Sequence, residues 1–587
     1  MERLLTPFAE KMDKNLPLND YPRPQLARDS FQNLNGKWDY AICNKEEGFS
    51  GYTGEILVPF SPECILSGVE KVVTADDVLY YRRKFLFSKT NDVALLHFGA
   101  VDYECVVAVN GKTAGSHKGG YFPFTFDITD LLNDGENEIT VTVTDPGDKG
   151  TQARGKQSSK RGGIWYTPQS GIWQTVWIEQ VCADYIEKIK ITPDIDLGTV
   201  DVEISFAETT VPATVEIYDK GELKASAIAQ NGKVTVDMGE FKCWSPENPY
   251  LYDMKIKAGK DEISSYFGMR KFGIGKTEKG FSCLMLNNKP YFHNGLLDQG
   301  YWSDGMYTAP TDEALVYDIQ TMKDMGFNML RKHIKIEPLR WYYHCDRIGM
   351  LVWQDMISGG SVYNIFATTI HPAVNLALCS KKFGAKDTEK NYKYFSRDDE
   401  EGRKEFYVDS ERMIDELYNV VSLSVWVPFN EGWGQFDSAK AYEFYKEKDP
   451  TRIIDHASGF HDQGEGDLNS FHIYFTPFAF PKYDRYDDRP IVLSEFGGYG
   501  LRIPGHAFNM DKLFGYRVYK DEKSFCDALE KLYKKRLTKA IERGLCATVY
   551  TEVSDVEDEV NGLLTYDRKI TKIPVERMRE INSHIKL

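Results

Sequence analysis

A change of period near Gly273 constrains this chain more than any other feature. Before it, short runs alternate apolar and polar residues, with turn residues between them. After it, apolar runs of strand length alternate with amphipathic stretches of helical length. A period of two puts alternate side chains on opposite faces of a sheet, whereas a period near 3.6 makes one side of a helix apolar. A chain carrying first one pattern and then the other must build all-β modules followed by an α/β module.

The first part divides again. In EITVTVTD (138–145), Ile139, Val141 and Val143 share one face, and Asn110-Gly111 inside CVVAVNGKTAG is a two-residue hairpin signal. No sustained helical period interrupts residues 1–182, which therefore read as a jelly-roll sandwich. Residues 183–272 hold GTVDVEISF, ATVEIYDKGELKAS with its Asp219-Lys220-Gly221 turn, and KVTVDMGEF, a spacing that suggests an immunoglobulin-like sandwich. WSPENPYLY (244–252) is punctuated by proline and reads as a crossing loop.

From 273 to 587, eight strand candidates follow one another: PYFHNG (290–295), NMLRKH (328–333), LVWQDM (351–356), SLSVWVPFNEG (422–432), TRIIDHAS (451–458), NSFHIYF (469–475), PIVLSEFGG (490–498) and CATVYTEVSD (546–555). Helical patterns lie between several of them. The stretch 311–325 opens on Thr311 as N-cap, with Asp312 and Glu313 in the first turn, and 524–543 is a second helix. Eight strands with helices between them fit a (β/α)₈ barrel. Residues 357–409 interrupt the alternation as a long insertion after the third strand, and are expected to fold over the barrel mouth and narrow it.

The formal net charge is −16. An acidic field disfavours nucleic acid and anionic membranes as partners, and no apolar run approaches the ~20 residues needed to span a bilayer. The N-terminal segment MERLLTPFAEKMDKNLPLND lacks an apolar core followed by a small-residue cleavage site, so a cytoplasmic location is expected. Ten cysteines are scattered without a CxxC pair, which points to free thiols rather than a disulfide framework or a metal site. His293, His333, His456 and His472 are spread over several strands without His-x-x-x-His spacing, which argues against a metal-dependent hydrolase. No cofactor and no metal are expected. A homo-oligomer is left open.

Reacting groups of a (β/α)₈ barrel sit at the C-terminal ends of its strands. Two candidate strands end in a glutamate flanked by glycine: Glu431, after SLSVWVPFN, and Glu495, in PIVLSEFGG. Two carboxylates converging across a barrel mouth are the minimum apparatus for glycoside hydrolysis, one as acid and one as nucleophile. The two must differ in environment, the acid protonated and the nucleophile ionised. Arg331, ending the second strand, and Tyr474, ending the sixth, are placed to hold Glu495 ionised.

With these residues in view, the chain resembles glycoside hydrolase family two over nearly its whole length. LNGKWDY (34–40), LYYRRKF (79–85), GSHKGGYFPFTFDIT (115–129) and SGIWQTVWIE (170–179) are similar to that family's sugar-binding jelly roll. WSPENPYLY and FGMRKFGI (267–274) resemble the exit of its immunoglobulin-like domain. Asn430-Glu431 matches the family's acid/base motif and Glu495 its nucleophile. The resemblance implies a retaining exo-β-glycosidase in which Asn430 binds the sugar 2-hydroxyl. Arg331, Tyr474, His472, Trp433 and Asp298 join it as expected sugar-pocket residues, and Tyr550 stands where most members carry a platform tryptophan.

Departures from the family pattern bear on the sugar. Trp165 stands where β-galactosidases and β-glucuronidases of the family carry an aspartate, and Glu559 and Asn561 replace the glucuronidases' Asn-x-Lys. Trp353-Gln354-Asp355 instead resembles the β-mannosidases and glucosaminidases. The acidic run EVSDVEDE (552–559) reads either as a solvated rim or as part of the pocket. A uronate entering without a cation would be costly, so a neutral sugar is expected, unless Lys381, Lys382 or Arg397 of the insertion compensates. The expectation is thus a β-galactosidase-like enzyme acting on carbohydrate. β-Mannosidase, β-glucosidase or β-glucuronidase specificity, and a non-catalytic carbohydrate-binding relative, are the alternatives.

Overall fold

The computed structural model describes residues 3–377, 384–474 and 487–587. The N-terminal part is antiparallel β. A six-stranded sheet runs in the order Gly54–Val58, Gly36–Asn44, Asp77–Phe87, Gly135–Thr144, Glu104–Val109, Lys112–Lys118. It faces a four-stranded sheet of Gln32–Asn33, Val176–Val181, Val93–Phe98 and Phe124–Asp127. Ile139, Val141 and Val143 are buried between the two sheets with Leu79, Tyr81, Leu96 and Ile178. Val109 pairs with Lys112 around Asn110-Gly111, whose φ angles of 51° and 77° match the strand twist in a two-residue turn.

A second antiparallel sandwich follows. Ile186–Asp194, Thr199–Phe206 and Lys233–Asp237 make one sheet; Glu222–Ala229, Ala213–Asp219, Tyr252–Ala258 and Asp261–Phe267 make the other. Its own core includes Val202, Val215, Ile217, Met254 and Ile263. A short antiparallel sheet of Phe272–Lys276, Ser282–Leu286 and Lys289–Pro290 leads into the last module, and its Phe272, Leu284 and Leu286 share a core with residues of the barrel strands.

That module is the parallel barrel. Its eight strands are His293–Asp298, Met329–Lys332, Leu351–Asp355, Leu423–Val427, Ile453–Ile454, Asn469–Ile473, Ile491–Gly497 and Leu545–Thr551. They lie side by side in the order 5-4-3-2-1-8-7-6. All eight overlap strand candidates read from the sequence, the first displaced by three residues, from 290–295 to His293–Asp298. The first helix, Asp312–Asp324, begins as its N-cap predicts, with the Thr311 side chain accepting from the Ala314 N–H. Alternate residues divide between two cores. Leu297, Met329, Trp353 and Val549 fill the barrel interior, while Leu296, Leu330, Val352 and Tyr550 pack among the surrounding helices.

Among the described residues, no helix is long and apolar enough to cross a membrane. The nine described cysteines are all free.

Candidate active site

Arg331 anchors the floor of the barrel mouth. Its guanidinium clasps Asp355 from two sides (Nε to Oδ1 2.9 Å, Nη2 to Oδ2 3.0 Å) and donates to Asn430 Oδ1 at 2.9 Å and Ser494 O at 2.9 Å. Nη1 also reaches Glu495 Oε1 at 3.4 Å. Every donor group of this fully buried cation is thus used, and its plane is locked. Asp355, which does this locking, was read from the sequence only as part of a subfamily motif.

Glu495 turns inward because the seventh strand breaks register with its eighth-strand neighbour between Leu493 and Phe496. Such an irregularity re-aims a side chain that strict alternation would send the other way. The Tyr474 hydroxyl donates to Glu495 Oε2, and the Tyr474 ring stacks on Tyr516 at 3.6 Å. Glu431 follows the fourth strand at φ 51°, a left-handed backbone, with Gly432 and Gly434 also at positive φ. Holding a non-glycine residue there costs free energy that the surrounding contacts must supply. His472 Nδ1 shares a hydrogen bond with Glu431 Oε1 at 2.7 Å and lies 3.6 Å from Glu495 Oε1.

One carboxylate oxygen of Glu431, one of Glu495 and His472 Nδ1 lie within 4.8 Å of one another. These three are also the one group of His, Cys, Asp and Glu side chains, among the described residues, close enough to share a metal ion. The hydrogen bond between His472 and Glu431 already uses two of those donor atoms.

Burial lifts the Glu431 carboxyl to about 7, with Lys156 and Arg331 opposing. Burial raises the Glu495 carboxyl as well, with Glu431 adding to the rise and His472, Arg331 and the Tyr474 hydroxyl opposing it, so that it too stands above the usual carboxylate range. Burial holds the His472 imidazole neutral, down at about 4. The environments differ in the sense acid–base division of labour requires: among the described residues Glu431 has no cation in hydrogen-bond contact, whereas Glu495 has Arg331.

Of the residues expected from sequence, Glu431, Glu495, Asn430, Arg331, Tyr474 and His472 converge here. Trp433 joins an aromatic wall at the rim, 5.2 Å from Trp165 and 6.0 Å from Tyr363 between ring centroids. Asp298 and Tyr550 do not converge. Asp298 accepts from Lys332 at 2.7 Å, in a buried network with Glu337 on the helix side. Tyr550 packs against Phe496 and Tyr533, with its hydroxyl accepting from the Tyr499 N–H. Each lies one residue before a side chain that does face the mouth. Gln299 and Thr551, their neighbours, face the mouth: Thr551 Oγ1 is 3.3 Å from the Tyr474 hydroxyl, and Gln299 hydrogen-bonds His333 Nδ1 at 3.0 Å.

The acidic run 552–559 is no solvated rim. Glu552, Asp555, Glu557, Asp558 and Glu559 are all buried. Lys572 pairs with Asp555, Arg161 with Glu557 and Asp558, and Glu559 accepts from the Tyr166 hydroxyl and from Asn561 Nδ2. The insertion does approach the mouth, since Tyr363 stacks on Trp165 and Trp433 and Ala385 donates to His461. Arg397 is spent on backbone carbonyls of Gly434, Thr151 and Gly402, while Lys381 and Lys382 lie outside the described residues. Sequence reasoning missed one cation altogether. Lys156, on a first-module loop, is buried and donates to the Tyr166 hydroxyl, which donates in turn to Glu559 of this run.

Two β-sandwiches, a (β/α)₈ barrel and a close pair of carboxylates at the barrel mouth define a protein of the glycoside hydrolase class. More narrowly, the chain belongs to glycosyl hydrolases family 2. The TIM barrel domain of that family matches residues 279–586, its central domain 184–270, and its galactose-binding domain-like module 69–196. A Leuconostoc mesenteroides beta-galactosidase is 26% identical over 414 residues, 66% of this chain and 36% of the relative. A Formosa agariphila protein provisionally named beta-glucuronidase is 31% identical over 301 residues, 48% of this chain and 27% of the relative. The chain spans about a third of the length of the curated relatives it matches.

Among solved structures, a Dictyoglomus thermophilum beta-D-glucuronidase superposes with a TM-score of 0.74 at 18% identity, covering 96% of this chain and 99% of that one. An Eisenbergiella tayi beta-galacturonidase gives 0.68 at 18%, covering 97% and 98%. At such identities the likeness establishes the fold.

Proposed function

We propose that this chain is a retaining exo-β-glycosidase that releases terminal, β-linked neutral sugars, with Glu431 as acid/base and Glu495 as nucleophile. The observation that carries the reading is the approach of the two carboxylates to within 4.8 Å. An inverting enzyme needs ~6.5–9.5 Å between them to admit a water, whereas ~5 Å leaves room only for direct attack. In the first step Glu495 attacks the anomeric carbon while Glu431 gives its proton to the departing oxygen. In the second, Glu431, now a carboxylate, takes a proton from water. The resulting oxygen nucleophile displaces Glu495 and restores the β configuration. Arg331 and Tyr474 hold Glu495 in place, and Arg331 is held in turn by Asp355. The insertion and the Trp165–Tyr363–Trp433 wall support attack at chain ends.

The neutral sugar is supported by Glu552 and Glu559 beside the mouth, and by Asn561, whose amide nitrogen is committed to Glu559. A uronate carboxylate would meet two further buried carboxyl groups there and no free amide donor from Asn561. One observation favours a uronide-cleaving enzyme instead, namely the buried ammonium of Lys156. A panel of nitrophenyl β-D-galactoside, glucoside, mannoside, glucuronide and galacturonide decides between the two. The galactoside is expected to exceed both uronides by at least about tenfold in kcat/KM. A uronide as best substrate would reverse the assignment.

The pH profile follows from Glu431. The first step needs its protonated form, and burial places its pKa at about 7. Above that value the acid is lost, so kcat/KM should fall about tenfold per pH unit. In Glu431→Ala, assayed on a substrate with a good leaving group, this alkaline limb should be absent.

A further inference from the structure

Expected in the sugar pocket, His472 instead has both ring nitrogens engaged by protein. Nδ1 lies 2.7 Å from Glu431 Oε1, and Nε2 lies 3.2 Å from the Ser458 hydroxyl. The residue is buried, with the Phe460 ring 5.4 Å from its own. Gly459 permits this approach, since a β-carbon there would stand 2.4 Å from the imidazole.

Ser458 serves the acid from two sides. Its carbonyl accepts from the Glu431 N–H at 3.1 Å, which helps hold the left-handed backbone of that residue, while its own N–H donates to Phe429 O at 2.9 Å. The Ser458-Gly459 turn is pinned further on as well. The Gly459 N–H donates to Ser470 Oγ at 3.2 Å, and the Ser470 hydroxyl donates to Asp455 Oδ1 at 2.9 Å.

A neutral imidazole carries one proton, and its partners decide which nitrogen holds it. Nδ1 faces carboxyl oxygens from two strands, Glu431 Oε1 and, at 3.6 Å, Glu495 Oε1. A lone pair on Nδ1 would meet oxygen lone pairs, one set belonging to the nucleophile, whereas an N–H is attracted by both. Nε2 then needs a donor, and the Ser458 hydroxyl supplies one. Arg331 and His333, at the end of the second strand, are the other charged or titratable groups acting on the ring. Asp455, beyond the fifth strand, is the competing acceptor for the Ser458 hydrogen, because its Oδ2 is buried without a hydrogen-bond partner among the described residues.

We infer that Ser458 and His472 are positioning residues for the acid/base: Ser458 donates to Nε2, and His472 donates through Nδ1 to Glu431 Oε1, leaving Oε2 as the oxygen that gives and takes the proton. The inference rests on the glycosidase reading and deepens it. In the first step the proton leaves Oε2 for the departing oxygen, and the Nδ1–H stabilises the carboxylate that remains. In the second, Oε2 takes a proton from water, whose oxygen bonds to the anomeric carbon as the bond to Glu495 breaks. One tautomer serves both steps, and no proton moves on the imidazole.

The test has two readouts. Nitrogen NMR of the histidine-labelled wild type should show a neutral His472 protonated on Nδ1, its signal being the one lost in His472→Asn or displaced in Ser458→Ala. The second readout is the pH profile of kcat/KM on the best nitrophenyl glycoside. A donor to a carboxylate favours its ionised form, so His472→Phe, which keeps a ring and loses the donor, should move the alkaline limb upward by about one pH unit. His472→Asn places an amide nitrogen near the Nδ1 position and should keep the limb within about 0.3 unit of wild type. His472→Gln reaches toward the Nε2 position instead and should behave like His472→Phe. The other groups acting on Glu431 stay in place in every variant: Lys156, Arg331, Glu495, Glu559, Tyr474 and Tyr516.

A proton found on Nε2, or a limb that moves downward in His472→Phe, would overturn the inference, because Nδ1 would then accept from Glu431 and Ser458 would serve Asp455. Equal losses of activity with an unmoved limb in all three His472 variants would make His472 a packing residue and overturn it too. If wild type cleaves no glycoside, the functional reading fails, while the nitrogen spectrum still decides the tautomer.

Discussion

Glu495→Ala is expected to lower kcat/KM by on the order of 10⁵-fold or more on every glycoside the wild type cleaves. In the proposed mechanism this carboxylate forms the covalent bond to the sugar. Tyr474 donates to it and Arg331 steadies it. The fold should survive, because Arg331 keeps Asp355, Asn430 and the Ser494 carbonyl after Glu495 is gone. An unchanged circular dichroism spectrum beside lost activity would separate chemistry from folding. Azide should not restore a β-configured product, since the face from which it would attack is the one Glu495 vacates. Activity within tenfold of wild type would remove Glu495 from the mechanism.

Glu431→Ala should behave differently, and the difference identifies the acid. A dinitrophenyl or nitrophenolate leaving group departs without a proton, so such substrates should lose roughly 10²-fold. Substrates with alkyl aglycones should lose roughly 10⁴-fold. Azide, small enough to enter the space left by the side chain, should accelerate the aryl glycosides and give the β-glycosyl azide, because Glu495 still forms the intermediate. A loss independent of leaving-group acidity would assign Glu431 to another role.

The barrel strands and their terminal glutamates were legible for one physical reason. Parallel strands covered on both faces read as continuous apolar runs, as SLSVWVPF and PIVL do, and a carboxylate at the end of such a run marks the mouth. The same property hid the phase. A strand buried on both sides carries no alternation to say which residue points inward, so nothing in the sequence separated Asp298 from Gln299 or Tyr550 from Thr551. In the antiparallel sandwiches one face is more polar, and the alternation of Ile139, Val141 and Val143 gave the phase correctly.

Local charge could not reveal that 552–559 is buried. The partners that make burial tolerable come from distant segments, Lys572 for Asp555 and Tyr166 for Glu559. Lys156 is the extreme case. Nothing in QARGKQSSK (152–160) distinguishes its lysines from those on any surface loop, and only the docking of that loop on Ser358 carries one of them to the barrel. Arg331 was legible as a residue but not as a unit, because its clasp with Asp355 joins two strands.

The central claim is that Glu431 and Glu495, with carboxylate oxygens within 4.8 Å, act by double displacement. Proton NMR of the anomeric region during the first minutes of hydrolysis of the best β-glycoside tests it most directly. The account predicts that the β-anomer of the free sugar appears first and then mutarotates toward equilibrium. Initial release of the α-anomer would contradict it.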